Sequence, residues 1–123
     1  MGNKNQNQNQ SQTFKYKKEN SLEERKKIFL ELSKNNPDKI PVVIENSKGN
    51  ALRRLLPMNF TISQVLFLLR KKFDLTPEVS YFLLADGKKY VGGEITIGEV
   101  YAKYKDLEDG FLYFLLEETK MYG

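Results

Sequence analysis

The chain has 123 residues, 40% of them apolar, which suits one domain with a single core and leaves no room for a second. It contains no cysteine and no histidine, so disulfides, thiolate nucleophiles and zinc-thiolate sites are excluded and the commonest general base is missing; the composition argues against an enzyme. The net charge of +4 is unevenly spread, because residues 1–72 hold 15 Lys or Arg against 6 Asp or Glu while residues 73–123 hold 5 against 10. Such polarity either steers acidic partners and anionic surfaces toward one face or is a solvated surface of dispersed lysines.

The opening "MGNKNQNQNQSQ" has no apolar residue after Met1, so it cannot bury enough surface to offset the entropy of ordering it, and residues 1–13 are expected to be a disordered tail. Gly2 lacks the Ser or Thr at position 6 that a myristoylation signal wants, since Gln6 stands there. No run approaches a membrane span and no apolar leader is present, so a cytosolic chain is expected.

Order is expected from Phe14, with residues 14–36 forming an N-terminal helical subdomain. In "SLEE", Ser21 and Glu24 have the spacing of a capping box, and Leu22, Ile28, Phe29 and Leu32 make an apolar side. The helix stops before Pro37, which pushes the preceding residue away from helical geometry. "KIPVVIE" from Lys39 and "ALRRLLP" from Ala51 then read as two strands of a hairpin around the polar turn "NSKGN".

Thr61 and Gln64 form a second capping box, ahead of Ile62, Val65, Leu66, Leu69 and Phe73 at helical spacing. "SYFLLA" from Ser80 is a strand, "DG" a turn, and "KKYVGG" a short irregular or edge segment. Thr96 and Glu99 open a short helix carrying Ile97, Val100, Tyr101 and Tyr104. After a turn at Asp109 and Gly110, "FLYFLLEE" is apolar enough for a central strand buried on both faces.

This order predicts an α+β ubiquitin-like β-grasp over residues 37–118, a four-stranded mixed sheet with a helix laid across it, behind the N-terminal helical extension. Residues 119–123 are expected to be a flexible tail ending on Gly123.

"YK" at Tyr16, "NPDKIPVVIE" from Asn36, "LLP" at Leu55, "FLLRKK" from Phe67, "DGFLYF" from Asp109 and the final "YG" fall together in the order and spacing of one family. From Phe14 onward the chain resembles the ubiquitin-like autophagy modifiers conjugated to phosphatidylethanolamine, typified by the GABA-A-receptor-associated protein. The resemblance implies that Gly123 is activated by adenylation, carried as a thioester on cysteines of activating and conjugating enzymes, and joined as an amide to the lipid headgroup. A deconjugating cysteine protease would reverse the step. Relatives often carry residues beyond the glycine that a protease removes; this sequence has none, so initial processing is expected to be unnecessary. The protein would be cytoplasmic when free and on autophagosome or other vesicle membranes when lipidated.

The resemblance also implies a groove for receptor peptides of the pattern aromatic, any, any, aliphatic, docked along "RRLLP". Carried over residue by residue, the first pocket would use Ile28, Leu32, Pro41, Val43, Arg53, Leu55 and Phe111. The second would use Leu56, Pro57, Phe60, Val65 and Leu68, with Leu56 and Leu68 expected in the groove rather than the core. Lys39, Arg53 and Arg70 would attract acidic flanking residues. The chain departs from the family at Arg54, where an aromatic is usual, at Val65 in place of Phe, at Ile28 in place of Glu, and in a shorter link "NSKGNAL". No cofactor, metal or nucleic-acid partner is expected, and the protein is expected to be a monomer. Two other readings stay open: a ubiquitin-like adaptor that binds peptides or anionic membrane surfaces without being conjugated, and a small hydrolase with a carboxylate or Ser/Lys site in a closed pocket.

Overall fold

The strand β1 (Lys39–Asn46) is buried without a break from Ile40 to Glu45, the pattern of a strand covered on both faces. A computed structural model describes residues 14–119. The Asn/Gln-rich segment 1–13 and residues 120–123, with Tyr122 and Gly123, lie outside the described residues. β2 (Ala51–Pro57) returns antiparallel to β1, with Pro41 opposite Leu55 and Val43 opposite Arg53. The turn between them uses Gly49 at φ +90° and the Asn46 side chain, whose Oδ1 accepts from the backbone N–H groups of Lys48 and Asn50.

β3 (Ser80–Ala85), β4 (Lys89–Tyr90) and β5 (Leu112–Thr119) complete a mixed sheet in the order β2-β1-β5-β3-β4. β5 lies between β1, to which it is parallel, and β3, to which it is antiparallel, as its apolar run demanded. The sheet has five strands rather than four, because Lys89 and Tyr90 pair with Ala85 and Leu84 and form a two-residue edge strand. β5 also runs to Thr119, one residue into the segment read as tail.

Helices cover both faces. Period-2 alternation sends Ile40, Val42 and Ile44 to one side, where they form the main core with Ile62, Val65 and Leu69 of α3 (Ile62–Lys72) and Ile97 and Val100 of α4 (Ile97–Tyr104). Val43, Phe111 and Tyr113 form a second cluster with Phe14 on the other side, beneath α1 (Lys15–Glu19) and α2 (Leu22–Asn35). Val42 and Phe114 are fully buried, and each large side chain in these clusters contributes on the order of 1.5–3 kcal/mol by leaving water.

Both threonine capping boxes close in full: Thr61 accepts from the Gln64 N–H and Thr96 from the Glu99 N–H, and each partner side chain accepts in return from the threonine N–H. At Ser21 only the first half forms, the Glu24 N–H donating to the serine oxygen. The two boxes also brace each other. Thr61 and Thr96 form a β-bridge, the Ile62 N–H donates to the Ile95 carbonyl, and the Ile97 N–H donates to the Phe60 carbonyl. Amides left over at each helix start are thus satisfied by the lead-in of the other.

Candidate functional site

β2 is the outermost strand of the sheet on its side, so one row of its backbone N–H and C=O groups has no strand partner. Successive residues point to opposite faces, which places Arg53 and Leu55 toward α2 and Leu52, Arg54 and Leu56 toward α3. The strand therefore presents two different walls to anything laid along it.

On the α2 side, Ile28 and Leu32 are half-buried and pack on a cluster containing Val43 and Phe111. Leu55 is half-buried opposite Pro41, and Arg53 is exposed opposite Val43. These seven positions share one face, with Pro41, Val43 and Phe111 as its buried floor. A cavity of about 230 Å³ lies against α1 and β2, lined by Tyr16, Val43, Glu45, Ala51 and Arg53 among others.

On the α3 side, Phe60 and Leu68 are half-buried and accessible; Pro57, expected in the same pocket, is half-buried too, but its register opposite Lys39 puts it on the α2 face with Leu55. Leu56, expected to face the groove, is instead a core side chain at 3% exposure, because its register opposite Ile40 points it into the main cluster. Val65 is likewise in the core, at 0%. As placed, both can serve only as the floor of a second pocket.

The three basic residues expected to act together are not gathered in one place. Arg53 donates to the Tyr16 hydroxyl (3.2 Å) and its guanidinium lies 5.4 Å from that ring. Arg70 lies over Tyr81 of β3, three strand positions from β2, or roughly 14 Å at normal strand spacing. Lys39 is exposed at the start of β1.

Sequence reasoning missed the polar groups that hold the N-terminal layer in place. Glu45, buried in β1, accepts from the backbone N–H groups of Lys15 (2.7 Å) and Tyr16 (2.9 Å), capping α1 from a distant strand. Arg25 of α2 is buried and donates to the Asp109 carboxylate (2.8 Å) and the Asn20 carbonyl (2.9 Å). The same carboxylate accepts from the Tyr113 hydroxyl (2.6 Å) and the Phe111 N–H (2.9 Å). Lys17 donates to Asp106 (2.6 Å) and lies 4.7 Å from the centroid of the Tyr113 ring.

Electrostatics agree with this geometry. Burial, followed by the hydrogen bond and negative charge of Asp109, pushes the Tyr113 hydroxyl far above its ordinary range. Burial alone would raise Asp106, but the Lys17 ammonium and the N–H groups of Asp109 and Glu108 outweigh it and hold the carboxyl below the usual range. Burial would lower Arg25, and the Asp109 bond with the surrounding negative groups more than reverses that. Among the described residues every partner of the buried Asp109 is internal, so this cluster is a structural clasp and not a hydrolytic centre open to substrate. Among the described residues no helix is long and apolar enough to cross a membrane.

A β-grasp sheet with α3 and the short α4 on one face, a helical pair on the other and a free edge at β2 defines a ubiquitin-like protein with an N-terminal extension. Comparison with known proteins identifies which kind. The family model described as "Autophagy protein Atg8 ubiquitin like" matches residues 23–123, and the chain belongs to that family of non-enzymatic ubiquitin-like modifiers. It is 32% identical over 114 residues to Autophagy-related protein 8D of Oryza sativa subsp. japonica, covering 88% of this chain and 96% of the relative. It is 30% identical to Autophagy-related protein 8e of Arabidopsis thaliana over 114 residues, 88% and 92% of the two chains, and 25% identical to Protein lgg-2 of Caenorhabditis elegans over 115 residues, 88% of each. Among solved structures, that of Trypanosoma brucei ATG8 superposes with a TM-score of 0.79 at 29% identity, covering 90% of this chain and 99% of the other.

Proposed function

We propose that this Atg8-family protein is joined through the carboxyl group of Gly123 to phosphatidylethanolamine during autophagosome formation, and that it recruits cargo receptors and adaptors through peptides docked on β2. The observation that carries the docking half is the edge position of β2 with half-buried apolar side chains on both its faces: Leu55 and Pro57 beside α2, and Phe60 and Leu68 beside α3. An extended peptide adds a strand to such an edge through backbone bonds, and its aromatic and aliphatic side chains, three positions apart, fall on opposite walls. Support for the conjugation half is the family match, which continues through Gly123.

In the proposed route the glycine carboxylate attacks ATP, pyrophosphate leaves, and a cysteine thiolate of the activating enzyme displaces AMP. The acyl group passes to the conjugating enzyme, and the headgroup amine attacks the thioester carbonyl, releasing the thiol and leaving an amide. Glycine suits each attack because it has no side chain to crowd the carbonyl. Two acyl chains then anchor the protein stably, where one would hold it only marginally. The free form would be cytoplasmic and the lipidated form would sit on autophagosome or other vesicle membranes.

Incubation with ATP, matching activating and conjugating enzymes and phosphatidylethanolamine liposomes should yield a species heavier by the lipid in intact mass, and deletion of Gly123 should abolish it. A chain that never forms a thioester would leave the unconjugated adaptor as the reading. For the groove, Leu55→Ala should weaken aromatic-x-x-aliphatic peptides by calorimetry while leaving the melt unchanged. Leu56 is unsuited to this test, being core.

A further inference from the structure

On the side of α2 away from β2 lies a second concavity of about 320 Å³, lined by Lys26, Phe29, Leu30, Tyr101, Lys105 and the turn 106–110, which brings Asp106, Leu107, Glu108 and Asp109 to it. Leu30 is two residues from Ile28, about 200° around the helix, so this surface is separate from the β2 groove. Leu30 is 65% exposed and Leu107 is 90% exposed. Single exposed leucines are ordinary, but these two flank one depression with aromatic walls.

Leu107 is not exposed because its loop is loose. The Asp106 N–H donates to the Phe111 carbonyl (2.8 Å), the Gly110 N–H to the Asp106 carbonyl (2.9 Å), and Asp106 Oδ1 accepts from the N–H groups of Glu108 (2.8 Å) and Asp109 (2.9 Å). Asp106 is itself anchored to Lys17 and Asp109 to Arg25. A closed, doubly anchored turn thus holds an apolar side chain out in water.

Charge indicates what would cover it. Both aspartates at the rim are spent on internal partners, whereas among the described residues Lys26 and Lys105 make no ion pair. Lys105 rests 5.3 Å from the centre of the Tyr101 ring. With Glu108 as the one uncommitted acid, the rim favours a negatively charged partner. No free strand edge borders the depression, since the sheet's edges are β2 and β4. An occupant here cannot take its backbone bonds from a ladder and must satisfy them itself.

We propose that this surface docks an amphipathic helix of a partner protein, with large apolar residues at i, i+3/i+4 spacing seated between Leu30 and Leu107 and Asp or Glu flanking them to meet Lys26 and Lys105. It stands apart from the Gly123 and β2 readings and does not depend on either.

The test is selection of a displayed library of helices of about five turns, randomised on one face, against the full chain, with the Leu30→Asp/Leu107→Asp variant as counter-target. Both positions are exposed, and a melt of the variant verifies that it folds. Enriched helices should carry paired apolar residues flanked by acids. The strongest should shift the amide resonances of Leu30, Tyr101, Lys105 and Leu107, and should lose at least about tenfold in affinity to the variant while keeping it for Leu55→Ala. Selected helices that are basic, that bind both targets equally, or that map elsewhere would overturn the proposal, as would an empty selection. So would self-association, or binding to phosphatidylserine vesicles, that disappears in the same variant, since either would make the occupant a second copy or a membrane.

Discussion

Asp109→Ala removes the carboxylate that neutralises Arg25, whose side chain is 8% exposed against 0% for the aspartate. Breaking a buried pair by deleting one partner costs about 3–5 kcal/mol, because the remaining charge is stranded away from water. The Tyr113 hydroxyl and Phe111 N–H lose their acceptor at the same time, and that loss is contained in the same figure rather than added to it. Against a total stability of about 5–15 kcal/mol this is a large fraction. Replacing both partners by apolar residues, Arg25→Met with Asp109→Leu, should recover part of the loss, because no charge is then left buried while the Tyr113 hydroxyl and Phe111 N–H still lack an acceptor. Urea melts of wild type, Arg25→Met, Asp109→Leu and the double variant close the cycle and should give a coupling energy of at least about 2 kcal/mol. A cost below about 0.5 kcal/mol for Asp109→Ala, or singles that simply add, would refute the view that the clasp holds the N-terminal layer.

Protonation should test the same region from both ends of the pH scale. Asp106 is held below the carboxylate value of 3.8, so its contribution is present above that pH and is lost as acid reaches the folded-state value; Lys17→Met should flatten the acid limb of a stability profile. Tyr113 is raised above 10.0, so its contribution is complete below pH 10 and fades as base rises beyond it, a loss that Tyr113→Phe should reduce in alkaline melts. Glu45→Gln keeps one acceptor but loses the charge and the second, and should cost about 1–2 kcal/mol, with faster amide exchange confined to Lys15–Glu19. Gly110→Ala should cost about 1–3 kcal/mol in a thermal melt, since φ is +90° there and a Cβ would sit 2.7 Å from the Phe29 ring.

Much of the fold was legible because its signals are local. The strands from Ala51 and Ser80 fall on the residues that periodicity marked, and both threonine caps sit where their spacing placed them. The apolar run from Phe111 identified the central strand because burial on both faces leaves no polar alternation. What escaped is non-local. Glu45 caps a helix that begins 30 residues earlier, and Arg25 meets Asp109 across 84 residues, so neither partner carries a mark in its own neighbourhood. Leu56 shows the limit within a recognised element: alternation separates it from Leu55, yet only its pairing with Ile40 reveals that its side opens into the core. Arg70 likewise carries the right charge at a place fixed by Tyr81, which no pattern within its helix announces.

The mutual bracing of Met58–Ser63 with Gly93–Gly98 has an implication for anyone wishing to borrow parts of this protein. Ser63 donates its amide to the Gly93 carbonyl and Gly98 donates to Met58, in addition to the two bonds between the threonine lead-ins. Neither helix is portable on its own: excised, each would leave bare amides that its own sequence cannot cover. A transplant that keeps both beginnings, even with everything between Phe73 and Gly93 exchanged, would carry the joint intact.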